Sequence, residues 1–166
     1  RRFVYLQRQV SPAMADYVEK LEIPGVYLRK ESRRYYPTGE VAAQLIGITN
    51  VDDKGIEGLE RLYDDWLTGS PGTRKIRRDA KGRQVEVLES KDGEAAGNLT
   101  LTIDQRIQAL AYREIKEAML YYQASSASAI VIDVHSGDIL AMVNAPSFNP
   151  NDRSDISPRR MRNRVI

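Results

Sequence analysis

Asp133, His135 and Ser136 bring a carboxylate, an imidazole and a hydroxyl into one short stretch, the groups of a nucleophilic relay. Such a relay works only when its members converge in space, and near-adjacent residues of a tight turn rarely point together. With Gly137 following, the stretch is expected to be a structural turn that leaves His135 exposed. Asp52, Asp53, Glu57, Glu60, Asp64 and Asp65 are the main acidic cluster. A calcium loop would need Gly at its sixth position and Glu at its twelfth, but counting from Asp52 gives Glu57 and Tyr63. Paired-carboxylate glycoside hydrolysis has no specific support, so an exposed or ion-paired helix face is expected. Arg74, Lys75, Arg77, Arg78, Lys81 and Arg83 form a basic arm. It could dock an acidic partner or phosphate-rich surface, with Arg74, Arg77 and Arg78 as candidate contacts, or its charges could simply keep an exposed edge from pairing. A second basic cluster, Arg153, Arg159, Arg160, Arg162 and Arg164, reads as a surface loop or as a face for a downstream domain.

Composition removes several other chemistries. The chain has no cysteine and one histidine, which excludes thiol catalysis, disulfide frameworks and His-rich metal sites. No cofactor is expected. Gly55-Ile56-Glu57-Gly58 is not followed by Gly-Lys-Ser/Thr and is no phosphate loop. Net charge is only +2 and the basic arm carries no aromatic residues for base stacking, so nucleic acid is not an expected partner. Hydrophobic residues at 42% and charged residues at 29% are a globular balance. No apolar run approaches the roughly 18–20 residues of a membrane-spanning helix.

The elements that must position these groups follow from periodicity and punctuation. Arg1–Val10 alternates loosely and reads as a strand or the end of one. Ser11-Pro12 opens a helix whose Met14, Tyr17, Val18 and Leu21 share a face, and Pro24-Gly25 ends it. Val26–Leu28 reads as a short strand. Thr38 is placed to cap a second helix, with Val41, Leu45 and Ile46 inward and Gly47 closing it. Gly58–Leu67 is expected as one helix with an apolar stripe of Leu59, Leu62, Tyr63, Trp66 and Leu67. Thr73–Leu88 predicts a β-hairpin turning at Asp79-Ala80-Lys81-Gly82, and Lys91–Asn98 a linker. Leu99–Ile103 then alternates as a strand. Asp104 opens the longest helix, with Ile107, Leu110, Ala111, Ile115, Ala118, Met119 and Tyr122 as its buried face. A hairpin of Ala129–Val134 and Ile139–Val143 follows, and beyond Pro146 a loop.

The expected fold class is α+β in two parts, 1–98 and 99–166. A lone hairpin with one helix is marginal in water, so the second part is expected to continue beyond Ile166, and both ends read as cuts in a longer protein.

Two segments carry a family resemblance. Arg34-x-Tyr36-Pro37-x-Gly39 resembles a short box of the non-penicillin-binding module of class B penicillin-binding proteins, and Gly55-x-x-Gly58-x-Glu60 is similar to the next box. Leu101-Thr102-Ile103-Asp104-x-Arg106-x-Gln108 looks like the entry of the transpeptidase domain. Asp133–Met142 with Asn144–Asn151 resembles its first hairpin and following loop. Met161-Arg162-Asn163-Arg164 is similar to the segment shortly before the catalytic Ser-x-x-Lys box. The likeness is strongest to the division-specific enzymes of Gram-negative bacteria.

The resemblance implies a dimerisation-type pedestal with a β-hairpin arm over 1–98, and over 99–166 a transpeptidase domain truncated before its nucleophile. The Ser-x-x-Lys and Lys-Thr-Gly boxes are absent from these residues. Ser11, Ser125, Ser126 and Ser128 have no Lys three residues on, so no catalytic residue is carried over and the chain is expected to be inactive by itself. The parent is implied to be a periplasmic D,D-transpeptidase of the inner membrane that cross-links peptidoglycan at the septum through a serine acyl-enzyme, and to be a β-lactam target. Divisome membrane proteins, a glycan-polymerising one first, are the implied partners. Peptidoglycan stem peptides are partners only of the whole protein. A homodimer through the truncated hairpin is a further expectation. The competing reading is a stand-alone protein-interaction module built on the basic arm. Arg34 and Glu60, each beside turn glycines and helix starts, are expected to share an ion pair or hydrogen-bond network.

Overall fold

The computed structural model describes residues 3–70, 72–80 and 83–166. In chain order the elements are helix α1 (Pro12–Lys20), a 3-10 turn (Gly39–Val41), α2 (Ala43–Ile46), α3 (Gly58–Leu62) and α4 (Asp64–Thr68). Strands β1 (Thr73–Arg78) and β2 (Gln84–Lys91) follow, then α5 (Gln105–Tyr121), β3 (Ala127–Ile132), β4 (Ile139–Ala145), a second 3-10 turn (Arg153–Asp155) and α6 (Pro158–Met161). The sheets are two separate antiparallel pairs, β1–β2 and β3–β4.

The starts of α1 and α5 follow their capping chemistry. Ser11 Oγ accepts the amide of Met14, and Asp104 accepts the amides of Arg106 and Ile107, relieving donors that a helix leaves unpaired in its first turn. Elsewhere several expected elements change form. Residues 3–10 and Val26–Leu28 form no strand, and among the described residues no strand runs beside them. Thr38 makes no side-chain cap, and the expected second helix breaks at Ala42 (φ −126°) into a 3-10 turn and one turn of α-helix. The helix expected over Gly58–Leu67 is split at Tyr63 into α3 and α4. Its stripe is not covered: Leu62 and Trp66 are exposed.

Leu99–Ile103 forms no strand either, although it runs along the outer edge of β4. It reaches that edge only through Thr102 Oγ1, which donates to Ile139 O, and the Asp104 amide, which donates to Leu140 O. The next stretch of edge is occupied by a side chain of α5. A regular ladder needs successive backbone pairs, and only one backbone bond is made here among the described residues before the chain turns into α5.

The buried face of α5 is the second correction. Leu110 and Tyr122 are exposed, whereas Gln108 (2% exposed) and Tyr112 (5%) are buried. The region past Pro146, expected as loop, supplies the centre of the core. Phe148 packs with Tyr36, Ala43 and Ile48, and Ile46, Ile156 and Met161 lean on that cluster. The core therefore joins residues near 40 to residues near 150. The Lys91–Asn98 linker is tethered: Ser70 N donates to Glu94 O and Gly97 N to Trp66 O. The hairpin turn at Lys81-Gly82 lies outside the described residues.

Candidate functional site

The two glycine-punctuated boxes meet in one node. Arg34 and Glu60 form a two-pronged pair, Nε to Oε1 at 3.0 Å and Nη2 to Oε2 at 3.3 Å. The geometry matches planar guanidinium to planar carboxylate. Glu60 is 6% exposed while Arg34 remains open to solvent, so the arginine neutralises a carboxylate that water barely reaches. The glycines permit the approach. Gly47 (φ 83°) and Gly58 (φ 60°) lie back to back, and a Cβ on Gly47 would sit 1.8 Å from the Glu57 carbonyl oxygen. At Gly55 a Cβ would meet Glu60 O at 2.0 Å, and the Gly55 amide donates to Asp64 Oδ1 at 2.7 Å. Gly39 (φ 53°) opens the first 3-10 turn, and Pro37 is exposed beside it.

Tyr36 joins this node to the distant loop. Its hydroxyl accepts the Thr49 amide at 3.0 Å. Its own amide donates to Asn151 Oδ1 and its carbonyl accepts from Asn151 Nδ2, each at 2.9 Å. One asparagine side chain thus satisfies both backbone groups of Tyr36, as a neighbouring strand would. Gln108 does the same for Met142, accepting its amide at 2.8 Å and donating to its carbonyl at 2.9 Å, while the other Nε2 hydrogen serves Val41 O at 2.9 Å. Gln44, also buried, donates to Pro146 O at 3.1 Å and Arg160 O at 2.8 Å. The Ser147 hydroxyl lies 2.6 Å from Glu40 O and 3.0 Å from Gln44 Oε1, its one proton shared between two acceptors. Burial, then the neighbouring Glu40 carboxylate, pushes the Tyr112 phenol well above its usual range. Glu40 is paired with Lys116 at 2.7 Å. These buried amides escaped the sequence reading because glutamine on an otherwise apolar helix reads as solvent-facing. The one signal was the 108, 112, 116 spacing, a single face of α5.

The basic arm is less cationic than its sequence suggests. Across the β1–β2 ladder Arg77 pairs with Glu86 at 3.1 Å and Lys75 lies 3.9 Å from Glu89, while Arg83 pairs with Asp79 at 2.8 Å. Arg74 is exposed opposite Ser90. The Arg78 backbone pairs with Gln84, and its side chain lies outside the described residues. Val85, Val87 and Leu88 are exposed on the same arm.

The remaining candidates are structural. Asp133 Oδ1 accepts the amides of His135 and Ser136, and these bonds hold its carboxyl below the usual range. Gly137 takes φ 79°, completing a turn rather than a relay. The acidic cluster is dispersed: Asp52 binds Arg8, Asp53 accepts from Ser32, and Asp64 caps Gly55. Among the described residues no group of acidic or histidine side chains could hold a metal ion, and no helix is long and apolar enough to cross a membrane. In the second basic cluster, Arg153 donates to Thr49 O, Arg159 to Ser125 O and Arg164 to Arg159 O, so its side chains brace backbone.

An ion-paired node, a seam of buried amides and a projecting arm make a mixed α/β scaffold. The Penicillin-binding Protein dimerisation domain model matches residues 2–101, and the chain belongs to that family. It is 56% identical over 165 residues to the "Peptidoglycan D,D-transpeptidase FtsI" of Escherichia coli (strain K12), covering 99% of this chain and 28% of that protein. It is 37% identical over 169 residues to the "Probable peptidoglycan D,D-transpeptidase PenA" of Neisseria gonorrhoeae, covering 100% of this chain and 29% of that protein. A solved peptidoglycan synthetase from Bifidobacterium adolescentis superposes with TM-score 0.64 at 31% identity, over 85% of this chain and 26% of that one. The chain spans less than a third of each of these proteins.

Proposed function

We propose that this chain is the non-catalytic scaffold and partner-docking part of a septal peptidoglycan D,D-transpeptidase. Residues 1–98 act as the pedestal, and residues 99–166 begin the transpeptidase domain. The observation that carries this reading is the match to the transpeptidase of Escherichia coli, which runs through nearly all of this chain and little more than a quarter of that protein, together with the lack of a Ser-x-x-Lys box here. The parent would attack the D-Ala-D-Ala bond of one stem peptide with a serine outside these residues, and an amine of a second stem peptide would resolve the acyl-enzyme. Its place would be the periplasmic face of the inner membrane.

A fluorescent β-lactam tests the division of labour. It is expected to leave this chain unlabelled and to acylate a version extended through the residues that follow Ile166. Labelling of the chain alone would end the reading. Docking is assigned to the arm, which carries exposed Arg74 near its base and exposed Val85, Val87 and Leu88 further along β2. Binding to a detergent-solubilised, glycan-polymerising membrane protein is expected to weaken when Arg74, Arg77 and Arg78 are reversed together. Unchanged binding would move the docking surface elsewhere. The open outer edge of β3, with Ile130 and Ile132 exposed, is the face assigned to a homodimer, and concentration-dependent sedimentation checks it. A stand-alone interaction module is the second reading, favoured by the apolar residues exposed on the arm. It would be preferred if the extended version also took no β-lactam.

A further inference from the structure

Three primary amides bind the segment around Tyr36–Gln44 to later parts of the chain, two of them directly to residues more than a hundred positions on and the third, Gln108 of α5, by a bridge to β4. Asn151 pairs with both backbone groups of Tyr36, Gln44 holds Pro146 O and Arg160 O, and Gln108 bridges Val41 O to Met142. Asn151, through Tyr36, and Gln44, next to Ala43, adjoin the hydrophobic cluster of Tyr36, Ala43, Ile48 and Phe148, and Gln108 holds Val41 just before it. A buried amide with its partners removed leaves several polar groups unpaired at once. Opening this seam therefore exposes the core and orphans the amides in the same event.

The other attachments are thinner. Helix α1 has no buried residue. Its segment is held chiefly at Arg8, which binds Glu31, Asp52 and Val51 O, with Ser32 on Asp53 and Gln9 on Val51 O beside it. The β1–β2 arm is tied at its base, where residues 66–70 meet 94–98 through Ser70 N to Glu94 O, Gly97 N to Trp66 O and Trp66 Nε1 to Asn98 O.

We infer that the mechanical joint of this chain does not lie at residue 98: Gln44, Gln108, Ser147 and Asn151 form a latch that makes residues 36–49 one rigid body with α5 and the β3–β4 hairpin. The segment before residue 33 and the β1–β2 arm are the parts left to move against that body. Gln108 is the positioning residue at its centre, because its amide bridges Val41 O to both backbone groups of Met142 on β4. This goes beyond the scaffold reading, which draws its boundary at 98 and says nothing of rigidity. A force on the arm or on the N-terminal segment would be resisted at the node and passed through the latch to β4, with no interdomain hinge between.

Amide hydrogen exchange of the whole chain, followed by NMR across a urea series, tests this. In the unaltered chain Gly47 and Ile56, whose amides are bonded to Ala43 O and Ile48 O, are expected to share one opening with the amides of β3 and β4. That opening would show the same protection and the same urea dependence, while the β1–β2 amides exchange at least about tenfold faster. Gln108→Met keeps the shape and removes all three bonds. It is expected to separate the two groups, with Gly47 and Ile56 exchanging about tenfold faster than β3–β4. Should Gln108→Met fail to fold, Ser147→Ala, which removes one hydroxyl, is expected to give a smaller separation in the same direction. Independent openings in the unaltered chain, or openings that stay joined in the folded variant, would overturn the latch. Neither result bears on β-lactam capture, so this test and that of the scaffold reading fail separately.

Discussion

At the scale of single residues, Glu60 and Tyr112 place opposite demands on their surroundings. Glu60 is buried as half of an ion pair, and removing Arg34 leaves its carboxylate without a counter-charge. Arg34→Ala is expected to destabilise the chain by about 2 kcal/mol, less than a fully buried pair because Arg34 stays open to solvent, and Glu60→Gln by less because the amide can still accept. Urea titration of the two variants ranks them. Tyr112 is held neutral instead. Its folded-state value lies above its unfolded one, so the contribution of the neutral phenol is fully present below the ordinary tyrosine range near ~10. It is lost as pH climbs through that range, because the unfolded phenol ionises first. Tyr112→Phe is expected to reduce the alkaline loss of stability by up to about 1.4 kcal/mol per pH unit. Chemical denaturation between pH 8.5 and 11, values on the order of one unit either side of that range, measures the difference. Asp133 runs the other way: its depressed carboxyl stabilises the turn above the usual carboxylate range, and that contribution falls away as acid titrates the folded turn.

Among the elements, close backbone approach and cross-strand charge decide what is tolerated. α2 and α3 abut through Gly47 and Gly58, with no room for a methyl on either. Gly47→Ala puts a side chain into a carbonyl in a left-handed backbone region, and a loss on the order of 3 kcal/mol or failure to fold is expected, read from thermal unfolding and soluble yield. In the arm, Arg77→Glu sets two carboxylates opposite one another at Glu86 and is expected to cost about 1 kcal/mol or less. The exchanged pair Arg77→Glu with Glu86→Arg restores stability while leaving a different charge pattern for any partner. That swap separates the arm's own stability from its docking in a way that Arg77 reversal alone does not.

For the whole molecule, the arrangement is a clamped centre with two thinly attached extensions. The centre joins residues on both sides of the 98 boundary through one small apolar cluster and a dense set of amides. The exposed apolar residues lie mostly outside it: Phe3, Leu6 and Tyr27 near the N-terminus, Leu62 and Trp66 on α3–α4, Val85 and Val87 on the arm. Ionic strength is expected to act on the extensions more than on the centre, since the pairs of Lys75 and Arg77 are solvent-exposed and screened. Limited proteolysis in rising salt should therefore cut the arm well before any site between residues 36 and 49. Earlier cleavage within 36–49 would contradict the clamped centre.

The linear order of residues was enough to place what depends on neighbours. Ser11 and Asp104 cap helices because a side-chain oxygen meets amides two or three residues on. Gly137 and the Asp133 turn are local in the same way, and turn residues placed both hairpins, whereas the alternation of Arg1–Val10 and Leu99–Ile103 gave no strand among the described residues. The pairing of Arg34 with Glu60 was also legible, because each stands beside turn glycines and helix starts in a segment that resembles a family box. What only the tertiary structure decided were matters of long-range partnership. Leu99–Ile103 has the alternation of a strand but makes no ladder with β4, and the edge at Met142 is taken by the amide of Gln108. The apolar stripes of α1 and α4 have the spacing of buried faces yet stay largely exposed, with Trp66 meeting the backbone at Gly97 and Asn98. Gln44, Gln108, Ser147 and Phe148 became the centre because burying a polar group is favourable only when every partner is supplied. Those partners come from segments far apart in the chain, and only the folded backbone sets them side by side.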